Sequence, residues 1–319
     1  METLAITPTG QVAPSCKRES YDHLLERLSE LSVSKYHDPF TDIDWDAPEY
    51  RIVADDPRHA LNPDHPLARS SWYVALDESA RARFGLAWAV QSLKNGVRLE
   101  AGLSRGFLDL CPHLPNGSLE YRYVMHEVIE EGRHSLMFQE YINRSGLATR
   151  SVPRFETWLD DLVIAQARRL PALFFFAVLA GELFLDEQNR RELRRPSHLL
   201  HPLTRRVMQI HVTEEARHIC FAERYLREHL PETARGEREL IAWVLPVLCR
   251  ESARLSLVPD RNLVDNFGIP ADVMRAVFGP DSEYRQQLTA SVSPIHRLCE
   301  SHGMLAPRHV RWWRSCGFA

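Results

Sequence analysis

Apolar residues recur at helical spacing along most of the chain after residue 77. Four long segments carry this pattern: Glu78 to Leu110, Leu119 to Arg144, Phe155 to Leu193 with a kink expected at Pro171, and Pro202 to Leu230. Few stretches between residues 78 and 256 alternate apolar and polar residues as a half-buried strand does. Four long helices in succession predict an all-α fold in which the helices pack as a bundle.

The sequence on either side of these four segments has a different pattern of apolar and polar residues. It predicts a mobile tail (1–16), a short amphipathic helix (Ser20 to Ser32), an irregular stretch rich in Pro, Asp and His (36–70), and, towards the C-terminus, a fifth long helix (Glu232 to Ser256) with shorter helices over 271–302. We therefore expect an N-terminal extension, residues 1–77, packed on or flanking a helical domain of residues 78–319.

Composition and charge exclude several classes of protein. The 319 residues are 44% hydrophobic, which suits a globular core, and 39 basic against 43 acidic residues give no positive surface for nucleic acid. The most apolar stretch, Leu170 to Leu185, is shorter than a membrane span and contains Glu182. The N-terminus lacks the basic segment and apolar run of a secretory signal. We expect a cytoplasmic protein that binds neither nucleic acid nor membrane.

Two of the long helices contain the same short motif, E-x-x-H. Glu131 and His134 form it in the second helix, and Glu215 and His218 form it in the fourth. A spacing of three places both side chains on one face of a helix, about a turn apart. His211, four residues before Glu215, shares that face. One E-x-x-H alone is best explained as a solvated helix face, but two copies in long helices favour a metal site.

The other two helices each contain one carboxylate that could complete such a site. Glu182 lies in the apolar sequence LPALFFFAVLAGELFL with no Lys or Arg within a turn, and a buried carboxylate must be paired or bound to a metal. Glu100, in the first helix, is the corresponding candidate, although an exposed salt bridge is an alternative for it. His211 is expected to bind directly, with a place in the core as its alternative.

One Glu from each of two helices and one Glu-x-x-His from each of the other two is the ligand set of di-iron and di-manganese carboxylate bundles. Four carboxylates neutralise two divalent cations, so the buried site carries little net charge. Imidazole nitrogens suit iron, although the same set also serves manganese. We expect two iron ions, in preference to manganese.

The order and spacing of these residues resemble the AurF-like non-haem di-iron N-oxygenases of aryl-amine oxidation. The resemblance rests on the H-x-x-x-E-x-x-H pattern of residues 211, 215 and 218 and covers roughly residues 80 to 230. It implies a ferritin-like bundle with additional helices and a metal centre held by seven residues: Glu100, Glu131, His134, Glu182, His211, Glu215 and His218. It also implies the oxidation of an amine nitrogen by O2 to hydroxylamine, nitroso or nitro products in natural-product biosynthesis.

The resemblance and the absence of other motifs together predict the partners. The sequence has no dinucleotide-binding G-x-G-x-x-G, no P-loop and no cysteine cluster for an iron–sulfur centre. Electrons must then come from an external reductase or ferredoxin, and a small-molecule amine and O2 are the expected substrates. The family's known members suggest a homodimer.

Several charged residues near the motifs are assigned lesser roles. Glu127 lies one turn before Glu131 and Asp186 one turn after Glu182, and each could accept a hydrogen bond from a ligand imidazole or form an ordinary ion pair. Four others are expected to point away from the ligand face and to be either solvated or paired between helices: Glu130, Arg133, Glu214 and Arg217.

Two other functions remain open from the sequence. A C–H hydroxylase or desaturase acting on a carrier-bound or lipid substrate would use a similar centre with six ligands. A non-enzymatic helical protein that stores metal or binds partners would show the same helices and some of the same residues.

Overall fold

The computed structural model describes residues 19–149, 161–280 and 282–318. In this part of the chain there are twelve α-helices and no β-strand, so the all-α prediction is confirmed. The helices are α1 (Tyr21–Ser34), α2 (Ser71–Ala75), α3 (Glu78–Leu110), α4 (Leu119–Ser145), α5 (Pro171–Leu193), α6 (Pro202–His229), α7 (Arg235–Leu257), α8 (Arg261–Phe267), α9 (Ala271–Phe278), α10 (Glu283–Ser291), α11 (Ser293–Ser301) and α12 (Pro307–Ser315).

The four long helices α3, α4, α5 and α6 form two pairs. Helix α3 packs along α4, and α5 packs along α6. The short connections 111–118 and 194–201 make each pair antiparallel, whereas the longer connection 146–170 joins one pair to the other. Two hairpins joined by one long connection are the arrangement of a ferritin-like bundle. Helix α1 covers α4 on the outside, and α7 covers α5.

Local sequence explains where the first two bundle helices begin and end. The side chain of Asp77 accepts a hydrogen bond from the backbone N–H of Ala80, so α3 starts at Glu78 as predicted. Ser118 caps α4 in the same way through Tyr121. Helix α4 ends before Gly146, whose φ of 66° lies in the left-handed region that glycine adopts without strain.

The third bundle helix starts later than predicted. We expected it to run from Phe155 with a kink at Pro171, but α5 begins at Pro171 itself. Leu170 before it has a non-helical backbone, with φ −133° and ψ 64°, and proline suits the first turn because it has no N–H to donate. The segment 161–164 is helical and is separated from α5 by a turn. The predicted start at Phe155 lies outside the described residues.

The N-terminal region follows its prediction where it is described. Helix α1 occupies the predicted amphipathic segment, and the stretch 36–70 contains only three short 3-10 turns, at Pro48–Tyr50, Pro57–His59 and Pro66–Arg69. The predicted tail, residues 1–16, lies outside the described residues.

Helix α5 is the centre of the hydrophobic core. Phe174, Phe175 and Phe176 are all buried, and the ring of Phe175 stacks on Tyr225 of α6 with 3.6 Å between ring centroids. Because neighbours surround α5 on every side, apolar residues occupy its whole circumference. Among the described residues, no helix is long and apolar enough to cross a membrane.

Gly85 of α3 provides a test of the contact between the bundle and the N-terminal region. A Cβ at this position would overlap the backbone carbonyl of His59, which cannot move away as a side chain would. We expect Gly85→Ala to lower the free energy of unfolding by about 1–3 kcal/mol, measured by urea titration. Gly236→Ala in α7, where a Cβ meets nothing within 4 Å, is the matched control. Equal effects of the two substitutions would contradict the proposed contact.

Candidate metal centre

The four bundle helices bring the seven predicted ligands together at their centre. Each of the seven side chains is at most 1% exposed. They are Glu100 from α3, Glu131 and His134 from α4, Glu182 from α5, and His211, Glu215 and His218 from α6. They form three overlapping groups of four residues whose ligand atoms lie within 4.8 Å of one another. Among the described residues, only these groups have a geometry that suits a metal ion.

The two E-x-x-H motifs face each other as a pair. Nδ1 of His134 lies 3.2 Å from Oε2 of Glu131 and 3.1 Å from Oε1 of Glu215. Nδ1 of His218 lies 3.2 Å from Oε1 of Glu131 and 3.2 Å from Oε2 of Glu215. Each carboxylate therefore turns one oxygen to each imidazole. This arrangement suits two cations bridged by Glu131 and Glu215, with one imidazole at each.

The two halves of the centre differ in their other potential metal ligands. Nε2 of His211 lies 3.4 Å from Oε1 of Glu100 and 3.3 Å from Oε1 of Glu215. His134 shares a group of ligand atoms with these three residues, which we call the first metal position. The half that contains His218, with Glu182 as the remaining carboxylate, is called the second metal position. The first position has one more imidazole than the second.

The carboxylates fit a pair of cations because they have few other partners. Neither oxygen of Glu182 receives a hydrogen bond from a neutral or positive group in the described chain, and the charged groups that influence it are Glu215, Glu131 and Glu100. Oε2 of Glu100 is likewise buried without a donor. Buried carboxylates that lie this close together are unstable unless they are protonated, paired or bound to cations.

The pKa shifts describe this competition between burial and charge. Burial, followed by the neighbouring carboxylates, raises the pKa of Glu100 and Glu182 well above their ordinary value. Burial lowers the pKa of His211 to about 4, which keeps its imidazole neutral and able to bind a metal. Burial alone would also lower the pKa of His218, but Glu215 and Glu131 raise it well above its ordinary value.

Two further carboxylates hold the outer nitrogens of the facing imidazoles. Nε2 of His134 lies 2.9 Å from Oε2 of Glu214, and Nε2 of His218 lies 2.9 Å from Oε2 of Glu130. The pairs cross between helices: the acid of α6 accepts from the imidazole of α4, and the acid of α4 from the imidazole of α6. An Nε2–H donated outwards leaves the Nδ1 lone pair facing the cluster, which orients both rings for metal binding.

Buried cationic and neutral donors support these outer acids. Nη2 of Arg217 lies 2.9 Å from Oε1 of Glu130 and 3.7 Å from Oε1 of Glu214. The backbone N–H of His37 donates to Glu214 at 2.9 Å. His211 has a neutral partner instead, the side-chain amide of Asn189, 3.1 Å from its Nδ1. The atom of Asn189 in this contact is the amide nitrogen Nδ2, so its N–H donates to Nδ1 and holds the ring with Nε2 towards Glu100 and Glu215.

The structure corrects the predicted supporting residues. The imidazole acceptors are Glu130 and Glu214, not Glu127 and Asp186. Asp186 instead accepts a hydrogen bond from Arg190 at 2.6 Å, the ion-pair alternative, and Glu127 makes no hydrogen bond in the described chain. Of the four residues predicted to be solvated or paired between helices, Glu130, Glu214 and Arg217 are buried and paired, whereas Arg133 lies over the ring of Tyr36 near the surface.

The sequence contains a pattern that could have indicated the role of Glu130 and Glu214. The two motifs extend to the same five-residue pattern, Glu-Glu-x-Arg-His, at residues 130–134 and 214–218. The repeated first Glu and the repeated Arg have no role in a single E-x-x-H. The repeated first Glu has a shared function, which is to accept from the imidazole of the other helix, whereas of the two arginines only Arg217 supports these pairs.

A four-helix bundle with four buried carboxylates and three imidazoles at its centre defines the class of di-metal carboxylate proteins. Residues 18–303 match the family described as P-aminobenzoate N-oxygenase AurF. The chain therefore belongs to the AurF family, as its motifs indicate, and this membership implies an oxygenase.

Three mycobacterial relatives are similar to this chain over most of its length. They are the uncharacterized proteins MT0908 of Mycobacterium tuberculosis (strain CDC 1551 / Oshkosh), Mb0909 of Mycobacterium bovis (strain ATCC BAA-935 / AF2122/97) and Rv0885 of Mycobacterium tuberculosis (strain ATCC 25618 / H37Rv). Each is 38% identical over 296 residues, which cover 93% of this chain and 87% of the relative.

Replacement of Glu182 tests its assignment to the centre. We expect Glu182→Leu to abolish metal binding at the second position, because that position loses its own carboxylate. The same substitution should raise the free energy of unfolding of the metal-free protein by about 1–3 kcal/mol, because a buried group without a donor is removed. Glu187→Leu, which removes a part-exposed carboxylate of α5 that pairs with Arg191, is the control for metal content. Two metals per chain in the Glu182 variant, measured by elemental analysis, would refute the assignment.

The crossed pairs predict that the affinity for metal can fall although every ligand residue is still present. We expect Glu130→Ala to weaken metal binding about 10–100-fold, because His218 loses the acceptor that orients its ring. Competition with a chelator of known affinity measures the change. Glu140→Ala, which removes an exposed ion-pair partner of Arg144 on the same helix, is the control. Equal affinities of the two variants would show that the outer carboxylate does not orient the imidazole.

Proposed function

We propose that this protein is a di-iron oxygenase that uses O2 to oxidise the nitrogen of a small-molecule amine, within natural-product biosynthesis. The observation that carries the proposal is His211. Its imidazole would be the third of the centre, and the distances of 3.4 Å and 3.3 Å from its Nε2 to Glu100 and Glu215 support its role as a ligand. Membership of the AurF family supports the same reaction.

The residues of the centre would divide the work as follows. All seven residues would hold the two irons: Glu100, His134 and His211 in the first half of the centre, Glu182 and His218 in the second, and Glu131 and Glu215 between the two halves. Iron supplies the activation of O2 and the oxidation of the amine nitrogen. Glu130 and Glu214 hold the imidazoles in the orientation that binding requires. The apolar side chains of α5 keep bulk water away, which strengthens every charge interaction in the site.

An apolar cavity adjoins the centre and suits a small substrate. It has a volume of about 130 Å³ and lies between α3, α5 and α7. Its walls include Leu99 and Gly181, which are the sequence neighbours of Glu100 and Glu182, together with Phe174. A buried apolar cavity of about 150 Å³ accommodates benzene, so the volume corresponds to one aromatic ring. Arg98 and Asn95 form a polar part of the wall.

The reaction also requires partners that remain proposals. Electrons would come from an external reductase or ferredoxin. The five cysteines in the described chain are buried and form no disulfide there, and none of them belongs to a metal-binding group. We propose a homodimer on the basis of the family resemblance.

A screen of amines tests the function directly. The ferrous-loaded protein should contain two irons per chain and consume O2 with an amine of the panel, p-aminobenzoate included, and mass analysis should detect an N-oxygenated product. His211→Ala should retain iron but lose at least tenfold in N-oxygenation. Gln209→Ala, an exposed position on α6, is the control.

Different results would favour the other functions. Full activity of His211→Ala with a C–H hydroxylated or desaturated product would favour the hydroxylase or desaturase. Fewer than about one iron per chain, without oxygen-dependent absorbance changes, would contradict every enzymatic function.

A further inference from the structure

Glu127 is a fully buried carboxyl group that the ligand set does not use. It lies on α4, its side chain has no exposure, and neither of its oxygens has a hydrogen-bond partner in the described chain. It belongs to none of the three groups of metal-ligand atoms. A buried carboxyl group without a donor or acceptor lowers stability, so its presence at the centre of a bundle indicates a function.

The position of Glu127 is the counterpart of the position of His211. His211 precedes Glu215 by four residues on α6, and Glu127 precedes Glu131 by four residues on α4. Because the two motifs face each other, the two extra residues serve opposite halves of the centre. His211 adjoins the first metal position, and the charged group with the largest influence on Glu127 is His218, which belongs to the second.

Charge balance keeps Glu127 protonated. Four ligand carboxylates balance two divalent cations, and Arg217 pairs with Glu130. After burial, His218 lowers the pKa of Glu127, whereas the three carboxylates Glu131, Glu215 and Glu130 raise it. Burial, the dominant effect, raises the pKa of Glu127 well above its ordinary value. A neutral carboxyl group carries a proton that it can donate.

Tyr123 is the next polar group on the same face of α4. It lies one turn before Glu127, is fully buried, and its hydroxyl has no hydrogen-bond partner in the described chain. Its ring packs edge-on against Phe221 of α6, with 4.7 Å between ring centroids, which fixes its position. Tyr123, Glu127 and Glu131 thus form a row of acidic groups that leads to the centre.

We propose that Glu127 is a proton donor to the second metal position. This inference rests on the proposed function. The first oxidation of an amine reads R–NH2 + O2 + 2 e⁻ + 2 H⁺ → R–NHOH + H2O. The O–O bond breaks, an N–O bond forms, nitrogen is oxidised, and the electron-donor protein supplies two electrons. Two protons must reach the oxygen that leaves as water; Glu127 delivers one of them, the second comes from solvent, and solvent reprotonates Glu127 between turnovers.

Three variants separate proton donation from a structural role. Glu127→Gln keeps the volume and removes the acid, Glu127→Asp keeps the acid with a shorter reach, and Tyr123→Phe removes only a hydroxyl. The matched control is Tyr141→Phe, which removes another buried phenol from α4, one that is hydrogen-bonded to Thr204. The ferrous-loaded proteins are mixed with O2 and p-aminobenzoate, or with the amine that the wild-type protein prefers.

The expected results include readouts that do not depend on turnover. Glu127→Gln should bind two irons per chain, and the midpoint of thermal unfolding of its metal-free form should be unchanged or higher. Its single-turnover rate should fall at least tenfold, its solvent deuterium isotope effect should change, and hydrogen peroxide should replace hydroxylamine as a product. Glu127→Asp should recover part of the rate, and Tyr123→Phe, which removes a buried hydroxyl without a partner from the same face, should react within twofold of the wild type.

Two results would overturn the proposal. A Glu127→Gln protein that loses iron would show that Glu127 is a ligand. A Glu127→Gln protein that retains iron and reacts within twofold of the wild type would show that the acid of Glu127 is not used. Failure of the proposed function is distinguishable from both, because the wild-type protein itself would then form no N-oxygenated product.

Discussion

The structure depends on the burial of four mutually repelling carboxylates at one level of a helical bundle. Burial and the neighbouring acids raise the pKa of Glu100 and Glu182 well above the ordinary value, so both are driven towards the neutral form unless cations bind. The free energy lost by burying these carboxylates is offset by the apolar core around them, above all by the aromatic residues of α5 and α6. A fold that retains such a cluster gains two cation positions, each with ligands fixed in advance.

The crossed imidazole pairs explain how α4 and α6 keep their register at this level. Glu130 and Glu214 each reach across to the imidazole of the other helix, and Arg217 lies between the two acids. A rotation or slide of one helix would break both pairs at once. The same contacts that orient His134 and His218 for metal binding therefore also fix the packing of the two helices.

Much of this arrangement could be predicted from the sequence, and the exceptions have physical causes. Helical periodicity and caps located α3 and α6 closely, and the spacing of the E-x-x-H motifs placed their residues on one face. Pro171 permits either a kink or a helix start, so only the tertiary structure decides between them. The partners of Glu130 and Glu214 depend on the relative rotation of two helices, which one helix's periodicity does not encode. Asp186 forms an ion pair with Arg190 of its own helix, the alternative to a contact with a ligand imidazole.

The centre is asymmetric because two equivalent positions hold different residues. The paired motifs are nearly identical, yet the position four residues before the bridging glutamate is His211 on α6 and Glu127 on α4. The imidazole is held neutral by burial and turns Nε2 towards Glu100 and Glu215, so it adds a donor to one half. The carboxyl group stays outside the ligand groups and adds a proton beside the other half. A half that is richer in ligands and a half that is supplied with protons give the two metal positions different tasks from one repeated pattern.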